Sequence, residues 1–133
     1  MNEYRILVVD DEEDLCEILK FNLENEGYEV DTANSAEDAL KMDISTYDLL
    51  LLDVMMGEIS GFKMASMLKK EKKTAKIPII FITAKDTEND TVTGFNIGAD
   101  DYISKPFSLR EVAARVKAVL RRTRQTETER APE

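Results

Sequence analysis

Four short apolar segments constrain what this chain can fold into. Ile6-Leu7-Val8-Val9 leads into Asp10-Asp11, Leu49-Leu50-Leu51-Leu52 ends at Asp53, Ile79-Ile80-Phe81-Ile82 ends at Thr83, and Tyr102-Ile103-Ser104 ends at Lys105-Pro106. Apolar runs of this length without polar alternation read as strands covered on both faces, which calls for a parallel sheet flanked by helices. In an open parallel sheet, ligands gather beyond the carboxyl ends of the strands. Three carboxylates, one hydroxyl and one ammonium are therefore expected at one edge, a set that suits a hard cation and a phosphoryl group.

Helical patterns lie between the runs. Residues 14–25 carry Leu15, Ile18, Leu19 and Leu23 at helical spacing and stop at Gly27. Residues 28–32 alternate and suit a strand nearer an edge. Ser35 is placed to cap a short helix through Leu40. Residues 62–70 predict a third helix with Phe62, Ala65 and Leu68 inward. Residues 87–97 predict a fourth, weakened by Thr91, Val92, Thr93 and Gly94. Ser108 with Glu111 reads as a capping box opening a last helix, whose stripe is Leu109, Val112, Val116, Val119 and Leu120. From Thr123 the chain is polar and lacks apolar periodicity. That predicts one domain over 1–122 and a disordered tail or start of a linker over 123–133. The alternation gives a (βα)5 three-layer α/β sandwich, flavodoxin-like, with strand order 2-1-3-4-5. That order sets Asp10-Asp11 beside Asp53.

Charge and composition exclude several function classes. The formal net charge of −9 repels phosphate backbones, so no direct nucleic acid binding is expected of this domain. The basic residues Arg110, Arg115, Lys117, Arg121, Arg122 and Arg124 gather near the C-terminus and suit a solvated helix end. With no His and a single Cys, the ligands of a zinc site are missing. Cys16 has no internal disulfide partner, which fits a reducing compartment. No apolar stretch approaches the roughly 18 residues of a membrane span, and Met1-Asn2-Glu3-Tyr4-Arg5 lacks the features of a signal peptide. A cytoplasmic protein away from the membrane is expected.

The residues Asp10-Asp11, Asp53, Thr83-Ala84 and Lys105-Pro106-Phe107, each after its own strand, give a resemblance to the receiver domain of two-component response regulators. Gly98-Ala99-Asp100-Asp101-Tyr102, Phe107-Ser108-Leu109-Arg110-Glu111 and Ala114-Arg115-Val116-Lys117 resemble the OmpR/PhoB subgroup. The resemblance covers about residues 4–122. It implies that Asp53 is the phosphoacceptor, served by a sensor histidine kinase. It implies a Mg2+ (or Mn2+) pocket in which Asp11, Asp53 and the Met55 carbonyl ligate directly and Asp10 acts through water. The resemblance further implies that Lys105, before a cis peptide bond to Pro106, pairs with Asp53. Thr83 is the switch hydroxyl and Tyr102 the aromatic that follows it. The remodelled surface comprises helix four, strand five and the last helix. In this subgroup it mediates dimerisation, with Asp100 and Asp101 facing Arg115, Lys117 or Arg122 of a second subunit. Transcription would be controlled through a DNA-binding domain outside this chain; the alternative is a stand-alone receiver that acts by docking.

The chain departs from the family pattern at Gly57 and Ser60, where Pro and Asp are usual, and at Thr91 and Asn96, which replace charged residues of the dimer contact. Met55 and Lys85, which flank the site, carry neither an acid nor an amide to position water, so slow self-dephosphorylation is expected. Two rivals fit less well. A phosphatase of the haloacid-dehalogenase type wants a second Asp two positions after its nucleophile, and positions 12 and 55 are Glu and Met. A flavin carrier on this fold needs a phosphate loop after strand one, where Asp10-Asp11-Glu12-Glu13 would repel the ligand.

Overall fold

In a computed structural model, residues 4–84 and 96–130 are described, the last seven of these by their backbone alone. Five strands, β1 (Arg5–Val9), β2 (Glu29–Ala33), β3 (Leu49–Asp53), β4 (Ile79–Thr83) and β5 (Asp101–Ser104), form one parallel sheet. Its order is β2-β1-β3-β4-β5, as the hydropathy and the flavodoxin-like topology predict. β3 and β4 are buried along their whole length, because both faces carry helices. Leu7, Val9, Leu50, Leu52, Ile79 and Phe81 face one layer, and Ile6, Val8, Leu49, Leu51, Ile80 and Ile82 face the other. This period of two sends alternate side chains into two separate cores.

The helices are α1 (Glu13–Asn25), α2 (Ala36–Leu40), α3 (Gly61–Lys69) and a C-terminal helix (Leu109–Arg130). Their starts follow the capping logic. Ser35 Oγ accepts from Asp38 N–H, Ser60 Oγ from Lys63 N–H and Ser108 Oγ from Glu111 N–H. α1 stops where Gly27 adopts φ 102°, which lets Tyr28 N–H reach back to Leu23 O. Pro78 precedes β4 and gives its carbonyl to Leu50 N–H, so its missing donor costs no ladder bond.

Two features go beyond the apolar spacing. The buried stripe of α1 is Cys16, Leu19 and Leu23, while Ile18 is 49% exposed. Cys16 turns inward because its thiol meets the main chain at the end of β1, and Ile18 is thereby carried about 100° off the inward side from Leu19. The C-terminal helix runs past Thr123 to Arg130. No Gly or Pro occurs between Leu109 and Pro132, and the intervening Arg, Gln and Glu sustain a helix that apolar periodicity does not announce. The predicted fourth helix over 87–97, with Lys85 and Thr91, lies mostly outside the described residues. Among the described residues no helix is long and apolar enough to cross a membrane.

Candidate functional site

The carboxyl ends of β1, β3, β4 and β5 meet at one edge. β1 delivers Asp10, wholly buried, and Asp11, exposed. β3 ends in Asp53, with Leu52 paired to Val9 across the sheet. One carboxylate oxygen each from Asp10, Asp11 and Asp53 lies within 4.8 Å of the others. β4 ends in buried Thr83, whose carbonyl accepts from Lys105 N–H at 2.7 Å. The Lys105–Pro106 bond is cis. The ammonium of Lys105 lies 3.4 Å from Asp10 Oδ2, 3.6 Å from Glu12 Oε2 and 3.9 Å from Asp53 Oδ2. Lys105 therefore sits nearer Asp10 than Asp53, and Glu12 completes its anionic surround.

Crowding and burial set the electrostatics. Burial, then the charge of Asp10, pushes the Asp53 carboxyl up to about 7, against the pull of Lys105. Burial also raises Asp10. For Lys105 burial acts downward, but Asp10, Asp53 and Glu12 together raise it, so the ammonium stays charged. Asp10 Oδ1 accepts from Glu12 N–H at 2.9 Å. Among the described residues Asp10 Oδ2 is buried with no close hydrogen-bond partner, and the Lys105 ammonium 3.4 Å away compensates its charge. A buried carboxylate oxygen without a donor, beside two further carboxylates, fits a hard cation with oxygen ligands.

The backbone around Asp53 is closely held. Val54 N–H donates to Ile82 O at 2.8 Å and Gly61 N–H to Val54 O at 3.0 Å. A Cβ at Gly61 would run into the carbonyl of Asp53, so only glycine lets the start of α3 lie against that peptide. Met55 is 71% exposed, and its N–H faces Asp53 Oδ1 at 3.4 Å.

The residue type after each apolar run marks most of this edge in the sequence. Three contacts had no such signal. Asn34 and Cys16 both touch the Asp10 carbonyl, and Gly61 abuts Asp53. Pairing of Ala33 with Val9 sets Asn34 beside Asp10, and that register is invisible before the fold is known. Farther along β5, Tyr102 is half-buried with its ring 5.7 Å from Phe81, which also stacks edge-on with Phe62 at 4.9 Å. Asp101 is chelated by Arg115 of the same chain at 2.9 and 3.0 Å. Asp100 Oδ2 accepts from Ile79 N–H at 2.9 Å, and its carbonyl from Arg122 at 3.3 Å. Lys117 has no ion pair among the described residues.

The response regulator receiver domain family matches residues 6–117. The chain belongs to this family. It is 50% identical over 120 residues to the alkaline phosphatase synthesis transcriptional regulatory protein PhoP of Bacillus subtilis, covering 90% of this chain and 49% of that protein. It is 46% identical over 127 residues to the transcriptional regulatory protein SrrA of Staphylococcus aureus, covering 95% and 52%. The chain spans about half the length of these curated relatives. Among solved structures, response regulator DrrB, a Thermotoga maritima OmpR/PhoB homolog, superposes with a TM-score of 0.82 at 31% identity, covering 91% of this chain and 54% of that one. This receiver is thus of the OmpR/PhoB kind, a signalling domain rather than a metabolic enzyme.

Proposed function

We propose that the domain at residues 1–122 accepts a phosphoryl group on Asp53 from a sensor histidine kinase in the cytoplasm. One observation carries this reading: Asp53 stands at the sheet edge with two further carboxylates within 4.8 Å and the Lys105 ammonium 3.9 Å away. In the transfer, an Asp53 oxygen forms a bond to phosphorus as the phosphorus–nitrogen bond of the kinase's phosphohistidine breaks, and the leaving imidazole takes up a proton. Lys105 follows the incoming group as a point charge on its oxygens. Asp11, Asp53 and the Met55 carbonyl would hold Mg2+, or Mn2+ in its place, with Asp10 acting through water. The bound ion supplies neutralisation of the phosphoryl oxygens and of the crowded carboxylates.

Thr83 then donates its hydroxyl to the phosphoryl group and Tyr102 follows it inward, a shift between two populated states. The surface remodelled is the predicted fourth helix, β5 and the C-terminal helix, and it serves phosphorylation-dependent homodimerisation. Asp100, Asp101, Arg115, Lys117 and Arg122 lie on that surface. Arg115 and Asp101 already pair within one chain, so a second subunit would share that pair rather than create it. The relatives PhoP and SrrA are both named as transcriptional regulators, which supports transcriptional output through a DNA-binding domain outside this chain.

The deciding test is intact mass after incubation with Mg2+ and acetyl phosphate. A single phosphoryl addition is expected, absent in Asp53→Asn. No addition to a folded chain would leave a docking module. The adduct, once formed, is expected to outlast seconds, because Met55 beside the carboxylate has no group to orient water; decay within seconds, followed by mass, would overturn that. Mg2+ should also raise the melting temperature. At roughly ten times its Kd the gain is about 1.4 kcal/mol, or about 5 °C for a domain of this size. A melting temperature unmoved by saturating Mg2+ would sink the shared-pocket reading.

A further inference from the structure

The peptide that carries Asp10 is clamped by two side chains from different elements. Cys16 Sγ, in the first turns of α1, donates to the Asp10 carbonyl at 3.3 Å. Asn34 Nδ2, just after β2, donates to the same oxygen at 3.3 Å. A carbonyl oxygen has two lone pairs, so these donors fill it. They also meet each other, with Asn34 Nδ2 3.7 Å from Cys16 Sγ. The Asp10 N–H is taken by Ala33 O at 3.1 Å. Both polar atoms of the Asp10 main chain are thus committed, while among the described residues Oδ2 of its side chain has only the Lys105 ammonium, 3.4 Å away.

The two donors differ in a useful way. Cys16 is buried, and burial followed by the charge of Asp10 pushes its thiol up to about 11, so it is a neutral donor and no thiolate. Asn34 is solvent-exposed. Core packing therefore does not explain its contact with Asp10, and removing its amide deletes no buried apolar side chain.

We propose that Cys16 and Asn34 are positioning residues for the cation pocket, holding the Asp10 peptide so that its carboxylate faces those of Asp11 and Asp53. The inference rests on the metal reading of that pocket. Neither residue would contact the ion. Each acts through Asp10, as partners behind a ligand do at metal sites, where their loss weakens metal affinity about 10- to 100-fold.

The test is calorimetric titration of the unphosphorylated full chain with Mg2+. Asn34→Ala should raise Kd about tenfold, and Cys16→Ala less, since a thiol is the weaker donor. Cys16→Ser restores a donor and should return Kd to within about twofold of the unmodified chain. Leu23→Ala, from the same buried stripe of α1, lowers stability without touching Asp10 and should leave Kd unchanged. If Asn34→Ala or Cys16→Ala binds Mg2+ as the unmodified chain does, the assignment of that residue is overturned. If Leu23→Ala weakens binding equally, the effect is general loosening and the proposal fails. Absence of Mg2+ binding by the unmodified chain overturns the metal reading itself and this inference with it.

Discussion

In chelator, urea unfolding should show the chain losing about 4 kcal/mol of stability between pH 4 and pH 8, and Asp53→Asn should remove most of that loss. Asp53 titrates near 7 in the fold against an ordinary 3.8, and each unit corresponds to about 1.36 kcal/mol. Between those values the folded chain holds a proton that the unfolded chain has released, so stability falls as pH rises. The contribution is fully present below about 3.8 and lost on passing about 7. Burial is the main cause and the Asp10 charge the next, and Asp10, itself raised, adds a loss of the same sign. Saturating Mg2+ should flatten the profile, because bound cation favours the ionised carboxylates. A stability that rises across this window in chelator would show that Asp53 is not held in a desolvated, crowded site.

Lys105→Ala should slow phosphoryl incorporation from acetyl phosphate by about 100-fold or more while Mg2+ binding persists. Lys105 is the one cation within ion-pair distance of Asp53 among the described residues. A fixed positive group aimed at developing negative charge is typically worth about 10²–10³ in rate. Its removal also leaves Asp10 Oδ2 without charge compensation, so Mg2+ should bind no more weakly and the divalent ion should stabilise the variant more than the parent. The check is the initial rate of mass gain at saturating Mg2+, with calorimetry for the ion. A rate within a few-fold of the parent would remove Lys105 from the transfer and leave it a tether between β5 and Asp10.

Most of the sheet edge was legible because buried parallel strands are apolar throughout, so the first polar residue after each run marks where chemistry emerges. Asp10, Asp53 and Thr83 follow this rule, and Lys105 lies one residue past the first polar position, Ser104. The cap serines Ser35 and Ser108 were legible for a similar local reason, as each lies three residues before the N–H it accepts, whereas the Ser60 cap emerged only with the fold. What escaped was non-local or weakly patterned. Ile18 fits a helical apolar stripe as well as Cys16 does, and only the contact of the thiol with Asp10 decides which turns inward. The ladder joining Arg115 to Asp101 within one chain depends on where the C-terminal helix crosses β5. The helical course past Thr123 escaped because absent apolar spacing argues against packing and says little about backbone conformation.

That helix has a mechanical consequence. Its buried stripe, Val112, Val116, Val119 and Leu120, seats it on the sheet, and Arg122 fastens it to the carbonyl of Asp100 at the entry to β5. Residues 121–130 continue in the same helix, a length of roughly 15 Å. A rigid helix fixed there would act as a lever with its fulcrum beside Asp100. A tilt of about 10° at the base carries the far end through about 2.5 Å over that length. A flexible segment of equal length would lose the angle within a few residues. A small rearrangement at the entry to β5 would thereby be converted into displacement at Arg130.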